Sequence, residues 1–273
     1  RGCLGCGKPA SDMSDATQPE PDRIDGAPHP RETVKLYGQD AAQADFLQAF
    51  ASDRLHHGWL ITGPRGVGKA TLAWPIARFL LATPPAQDDG LFGAPPPPTD
   101  LHITEDHPVS RRMMAGSEPG LFALRRPYDE KAKRLKAQIT VDEVRKLKGF
   151  FALSAADGGR RVVIVDAADD MNVSAANAIL KLLEEPPDRT TLLLVSHQPS
   201  RLLPTIRSRC RIVRFTAIPD KAIVDWLVEN RKTPRDEAKT AAQMSDDEHV
   251  LGLADGDEAV EAFGLAAEEG NPY

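Results

Sequence analysis

The sequence predicts an α/β fold, a parallel sheet covered on both faces by helices and followed by a small helical domain. Three short runs, residues 58–62, 161–166 and 191–196, are of strand length and dense in Val, Ile and Leu. They are apolar nearly throughout instead of alternating, the mark of strands buried on both faces of a parallel sheet. Stretches of helical periodicity separate them, and strands alternating with helices imply βαβ connections. At 273 residues, with 41% hydrophobic and 27% charged side chains, the chain has room for one standard domain and a smaller one.

Residues 1–30 are rich in Pro, Asp, Gly and Ser and poor in large apolar side chains, so they are expected to form a flexible tail. The chain opens on Arg1, and Met13 offers a natural start, so the residues before Met13 are read as lying upstream of it. Apolar residues Ala42, Phe46, Leu47 and Phe50 then recur at helical spacing over 39–51. The first strand, Gly58-Trp59-Leu60-Ile61-Thr62, follows, and after a glycine-rich turn residues 72–81 read as a helix that Pro75 is expected to kink.

Residues 83–99 hold a proline cluster at 94–98 that neither a helix nor a central strand accommodates, so this stretch reads as a loop. Thr140-Val141-Asp142-Glu143 has capping-box spacing and opens a helix running to about Leu153, with Val144, Leu147 and Phe151 on one face. The second strand ends on Asp166, residues 174–185 are helical, and the third strand ends on Ser196. A short strand over 211–215 precedes Pro219, a helix follows over 221–230, and the boundary between the large and small domains is placed near Ala217.

Charge and cysteine content exclude several classes. A net charge of -6 rules out polyanion binding by the chain as a whole, so contact with nucleic acid needs a local patch or a partner. Residues 125–148, with nine basic and four acidic groups, are such a patch, although a charge run is more often a solvated face. Three cysteines, Cys3, Cys6 and Cys210, supply neither a disulfide framework nor a four-cysteine zinc site and are read as reduced thiols. No apolar run approaches the roughly 18 residues that cross a bilayer, and no secretory pattern opens the chain, so a cytoplasmic protein without membrane contact is expected.

Gly63-Pro64-Arg65-Gly66-Val67-Gly68-Lys69 lies between a strand and a helix, where the backbone N–H groups of a P-loop and the helix N-terminus can surround phosphates. Lys69 supplies a cation for the outer phosphates. The next position should carry a hydroxyl for magnesium but is Ala70, and Thr71 lies about 100° further round the helix. Asp166 fits the strand-end carboxylate of such sites. In Asp166-Ala167-Ala168-Asp169, however, no Glu follows it to polarise water, a loss worth roughly 10²- to 10⁴-fold. ATP binding with little hydrolysis and without firm magnesium binding is the expected chemistry.

These segments resemble the AAA+ clamp-loader ATPase family and, within it, the delta-prime branch of bacterial DNA polymerase III. The resemblance rests on Gly63 to Thr71, on the strand ending at Asp166, on Asn177-Ala178-Ile179-Leu180-Lys181-Leu182-Leu183-Glu184-Glu185-Pro186-Pro187, and on Leu203-Pro204-Thr205-Ile206-Arg207-Ser208-Arg209-Cys210. It covers roughly residues 37–231. It implies an AAA+ P-loop domain over 31–217 and a helical lid domain over 218–273 that looks incomplete, with no counterpart of the family's collar domain.

The same resemblance implies a subunit that helps load the sliding clamp onto primed DNA beside gamma/tau-type and delta-type subunits, touching DNA through the complex. It makes Ser208-Arg209-Cys210 an interface motif, Arg209 an arginine finger acting in trans, and Ser196 a polar sensor of the γ-phosphate. Relatives often carry a zinc module after the P-loop helix; residues 82–108 contain no cysteine, His102 and His107 are too few ligands, and no zinc is expected. Within 242–263 no arginine matches the family's phosphate-facing one. Two alternatives stand beside this reading: an active ATPase motor, either of gamma/tau type or another DNA-remodelling AAA+ protein, and a small-molecule P-loop kinase. Ala70 and the Ser208-Arg209-Cys210 context disfavour the kinase.

Overall fold

The computed structural model describes residues 20–21, 29–32, 39–52, 54–83, 98–153, 159–217 and 219–244. Cys3, Cys6, most of the expected tail, nearly all of the proline cluster and nearly all of the 242–263 stretch lie outside them. Among the described residues no helix is long and apolar enough to cross a membrane.

Among the described residues five parallel strands form the sheet, in the order β2 (Leu121–Arg125), β5 (Arg161–Asp166), β6 (Thr190–Ser196), β1 (Gly58–Thr62) and β7 (Arg211–Arg214). The predicted strands occupy its centre: β1 (Gly58–Thr62), β5 (Arg161–Asp166) and β6 (Thr190–Ser196). All of β1 and β6 is buried, as expected for strands with helices on both sides. β7 (Arg211–Arg214) is one edge, and β2 (Leu121–Arg125), which the sequence pattern does not announce, is the other. Only Leu124 of β2 is fully buried, so neither an alternating nor a continuous apolar signal marks it.

Each face of the sheet carries its own core. On one, α1 (Asp40–Ala51) and α2 (Lys69–Ala82) bury Phe46, Leu72, Ile76 and Leu80 against Trp59, Ile61, Ile164 and Val195. On the other, α4 (Val141–Leu153) and α5 (Val173–Glu184) bury Val144, Leu147, Ile179 and Leu183 against Leu60, Val163 and Leu194. α5 starts where Asn172 accepts from Ala175 N–H at 2.8 Å, a side-chain N-cap.

α2 continues through Pro75 as one helix of 14 residues. Eleven of these are buried, including every residue from Thr71 to Leu80, so tertiary packing outweighs the ring's penalty. His29 packs edge-on against Trp74 with ring centroids 5.3 Å apart, and Glu20 joins Arg31 and Arg125 at 2.7 Å each. The described residues of the 1–30 stretch are thus packed against α2 and the β2 edge.

The remaining elements connect these layers. α3 (Pro108–Met114) packs on α2, and the small hairpin β3 (Tyr128–Asp129) and β4 (Arg134–Leu135) follows β2. α6 (Pro204–Arg207) leads into β7. Beyond the sheet, α7 (Asp220–Arg231) and α8 (Arg235–Met244) pack on each other through Ile223, Val224, Ala238 and Ala242, a core separate from the two above.

Candidate functional site

Parallel strands place all their starts on one edge of a sheet and all their ends on the other. The predicted site residues divide between those two edges.

The loop from Gly63 to Lys69 occupies the C-terminal edge, joining β1 to α2. Gly66 and Gly68 have φ of 79° and 85°, where a side chain would be strained, and they turn the chain sharply enough to begin a helix at Lys69. Gly63 is required for a second reason: a Cβ there would lie 2.7 Å from the Phe215 carbonyl oxygen. Pro64 and Arg65 are exposed, while Val67 is anchored in the core.

Lys69 is buried and its Nζ donates to the carbonyl oxygen of Pro64. Burial lowers its pKa to about 8, against the opposing pull of Asp166 and Asp169, with Arg65 adding to the fall. Ala70 is half-buried, and Thr71 is packed within α2 at 7% exposure.

Asp166 ends β5 half-buried, paired in register with Arg125 of β2. The carboxylate that does most at this edge is Asp169, whose role the sequence reading missed. One of its oxygens accepts from Ser196 Oγ at 2.7 Å, and the other from the backbone N–H of His197 and, at 3.1 Å, of Gln198. Ser196 is fully buried, so its hydroxyl is committed to Asp169 at the end of β6. The polar run Ser196-His197-Gln198 at the end of an apolar strand is the one hint of this clamp.

Asp170 sits opposite Arg126 at 3.1 Å; burial raises its pKa, Arg126 opposes the rise and Asp169 adds to it. His197 has its pKa lowered to about 4 by burial and by Lys69, with Asp169 opposing and Arg65 adding to the fall, so at neutral pH its imidazole is uncharged.

Ser208, Arg209 and Cys210 lie at the N-terminal edge, just before β7. β1 begins beside them: a Cβ on Gly58 would lie 2.6 Å from Leu183 Cδ2, 3.3 Å from the Arg209 carbonyl and 3.4 Å from Cys210 Sγ. Five residues of β1 therefore separate Arg209 from the glycine loop, about 16 Å at the usual rise. A single side chain does not span that.

Arg209 donates through Nη1 to the Thr205 carbonyl at 3.1 Å and pairs through Nη2 with Glu184 at 3.0 Å. Ser208 Oγ also donates to Thr205 O. Cys210 is mostly buried, and burial pushes its thiol pKa up to about 12, which keeps it protonated and unreactive.

In the basic stretch 125–148, Arg145 and Lys146 pair with Asp142 and Glu143 on α4. Lys131, Lys133, Arg134 and Lys136 are exposed around the β3–β4 hairpin. His107 caps α3, accepting from Val109 N–H at 3.2 Å, and His102 is exposed. Among the described residues no cluster of three or more His, Cys, Asp and Glu could hold a metal ion.

A family described as "DNA polymerase III, delta subunit" matches residues 38–219. The DNA polymerase III subunit delta' of Pseudomonas aeruginosa is 40% identical over 189 residues, which are 69% of this chain and 51% of that protein. That of Escherichia coli is 32% identical over 200 residues, 73% of this chain and 54% of the relative. The chain thus spans about half the length of these curated relatives. The gamma/tau subunit of Mycobacterium tuberculosis is 28% identical over 201 residues, 71% of this chain and 30% of that protein. Among solved structures, a gamma subunit-related protein of Thermotoga maritima aligns with a TM-score of 0.45 at 22% identity, covering 72% of this chain and 57% of the other.

The matched span runs from just before α1, through the glycine loop, the Asp169 clamp and the Ser208-Arg209-Cys210 edge, to just before α7. The chain belongs to the DNA polymerase III delta-subunit family, in its delta-prime branch.

Proposed function

We propose that this chain is a clamp-loader subunit of DNA polymerase III, which helps seat the sliding clamp on primed DNA. Arg209 serves as an arginine finger at the ATP site of a neighbouring subunit, and the chain itself hydrolyses little ATP. Gamma/tau-type and delta-type subunits are its partners, and primer-template DNA is reached through the complex. The large and small domains are residues 31–217 and 218–273, with the lid on α7 and α8.

The observation that carries the reading is the separation of Arg209 from the chain's own glycine loop, on opposite edges of one sheet. An arginine so placed cannot reach its own chain's phosphate site, but it is partly exposed, at 39%, at the surface another molecule can approach. A guanidinium fork in that position suits anionic phosphate oxygens, and such a finger contributes roughly 10³- to 10⁵-fold to phosphoryl transfer.

The chain's own site fits a nucleotide only in part. Its glycine turn and the start of α2 leave backbone N–H groups for phosphates, and Lys69 supplies the cation. Nothing at position 70 replaces the magnesium hydroxyl. Ala167 stands where a water-activating Glu is expected, and the next carboxylate along the chain, Asp169, has its oxygens taken by three donors. These side chains support a site that holds phosphates without activating water.

The direct test is reconstitution with gamma/tau-type and delta-type subunits, a sliding clamp and primed DNA. Clamp loading is expected to depend on this chain, while the chain alone turns over little ATP. Brisk hydrolysis by the isolated chain would favour a motor subunit instead.

A further inference from the structure

We infer that Glu184 is a latch for Arg209, a carboxylate of the same chain that competes with a neighbour's phosphates for the guanidinium. The inference rests on the trans-finger reading above and adds a regulatory residue to it.

Both terminal nitrogens of Arg209 are engaged, Nη1 with the Thr205 carbonyl at 3.1 Å and Nη2 with Glu184 at 3.0 Å. A guanidinium that grips phosphate with its fork uses those same nitrogens. Arg209 therefore has to leave at least one present partner before it can act on another molecule.

The backbones on both sides of the pair are pinned. Arg209 N–H donates to Ile206 O at 3.1 Å, and the Arg209 carbonyl abuts Gly58. Glu184 is the last residue of α5; its neighbour Leu183 is buried, and the Leu183 carbonyl lies 2.9 Å from His57 Nε2. Glu185 N–H closes the helix on Lys181 O at 2.9 Å. The two side chains, by contrast, are 39% and 43% exposed. Exchange therefore needs only side-chain rotation on a fixed frame.

Chemistry favours a latch that holds weakly. A carboxylate at a helix C-terminus faces the negative end of the dipole, so Glu184 gains from a cation and Arg209 supplies it. An exposed ion pair is weak enough for a polyphosphate, which offers several anionic oxygens, to take the guanidinium away. The paired state still withdraws part of the population from the competent form, and apparent affinity falls by that fraction.

The test is a double-substitution cycle in the assembled loader, reading the apparent Kd for ATP at the site facing this chain. Glu184→Gln, which keeps shape and removes charge, is expected to tighten it about 1.5- to 5-fold, the equilibrium factor of an exposed pair. In an Arg209→Ala background the same change is expected to do nothing, whereas a merely structural role would persist there. On the isolated chain, Glu184→Gln should speed phenylglyoxal modification of Arg209.

Equal modification rates would overturn the latch. So would unchanged or weaker ATP affinity in Glu184→Gln, or tightening that survives without Arg209. If Arg209→Ala itself leaves the loader's ATPase intact, the finger reading falls, and the latch with it.

Discussion

The two edges of the sheet hold their charges in opposite ways. At the C-terminal edge Lys69 is 3% exposed, Ser196 is fully buried, and Asp169 ties the end of β6 with three accepted hydrogen bonds. At the N-terminal edge the Arg209–Glu184 pair keeps about two fifths of each side chain in solvent. Burial holds the first set in place and lowers the pKa of Lys69. Exposure leaves the second set cheap to rearrange. On the proposed reading, such a chain keeps the lysine of its own glycine loop buried and fixed and its exchangeable cation on the opposite edge.

The largest effect should come from breaking the exposed edge. On the proposed reading, Arg209→Ala lowers turnover at the site it faces by on the order of 10³-fold, measured by single-turnover ATPase of the assembled loader. Nucleotide binding to this chain should be unchanged. An unaltered rate would erase the functional side of the contrast.

Next is the buried lysine. Its folded pKa of about 8 lies below the model-peptide 10.5, so between those values the unfolded chain binds the extra proton and stability rises with pH. The gain is about 3 kcal/mol and is complete above pH 10.5. Cys210 acts in the opposite sense, because its folded pKa of about 12 exceeds the ordinary 9.0 and stability falls as pH rises between them. The lysine's share is therefore the difference between the wild-type and Lys69→Met curves from urea melts at pH 7.5 and 10.

Asp169→Ala comes third. It strands the buried Ser196 hydroxyl and the His197 backbone N–H, while the exposed Gln198 N–H turns to water, and should lower unfolding free energy by roughly 2 to 3 kcal/mol. Glu184→Ala, its counterpart on the other edge, should cost less than about 1 kcal/mol in the same urea experiment. Equal losses for the two would abolish the distinction between a locked edge and an exchangeable one.

Much of the fold was readable because burial on both faces leaves a strong composition signal. β1, β5 and β6 are apolar along their length, and the glycine loop announces itself through residues that only a tight turn needs. β2 was missed because an edge strand is half covered and its Leu121, Phe122 and Ala123 are only partly buried. β3 and β4, two residues each, are too short to show a period. Pro75 stands inside α2 without ending it, because helix propensity is a local quantity while most of α2 is buried.

The candidate site divides in the same manner. Gly63 to Lys69 and Ser208 to Cys210 stood out as motifs, and Ala70 as a departure from one. Asp169 did not, because its meaning depends on β5 and β6 lying side by side, which brings an acceptor to donors 27 to 29 residues away. Glu184 belongs to a recognisable motif, but its pairing with Arg209 across the end of α5 depends on the fold bringing α5 beside the start of β7.

Local chemistry, carried by residue order alone, decided the turn at Gly66 and Gly68, the cation at Lys69, the absent hydroxyl at Ala70 and the apolar runs that become central strands. Tertiary structure alone decided on which side of the sheet each of these faces. That choice follows from the parallel arrangement, in which every strand must return across the sheet through a helix before the next begins. Lys69 and Arg209 are thereby held apart by the length of β1.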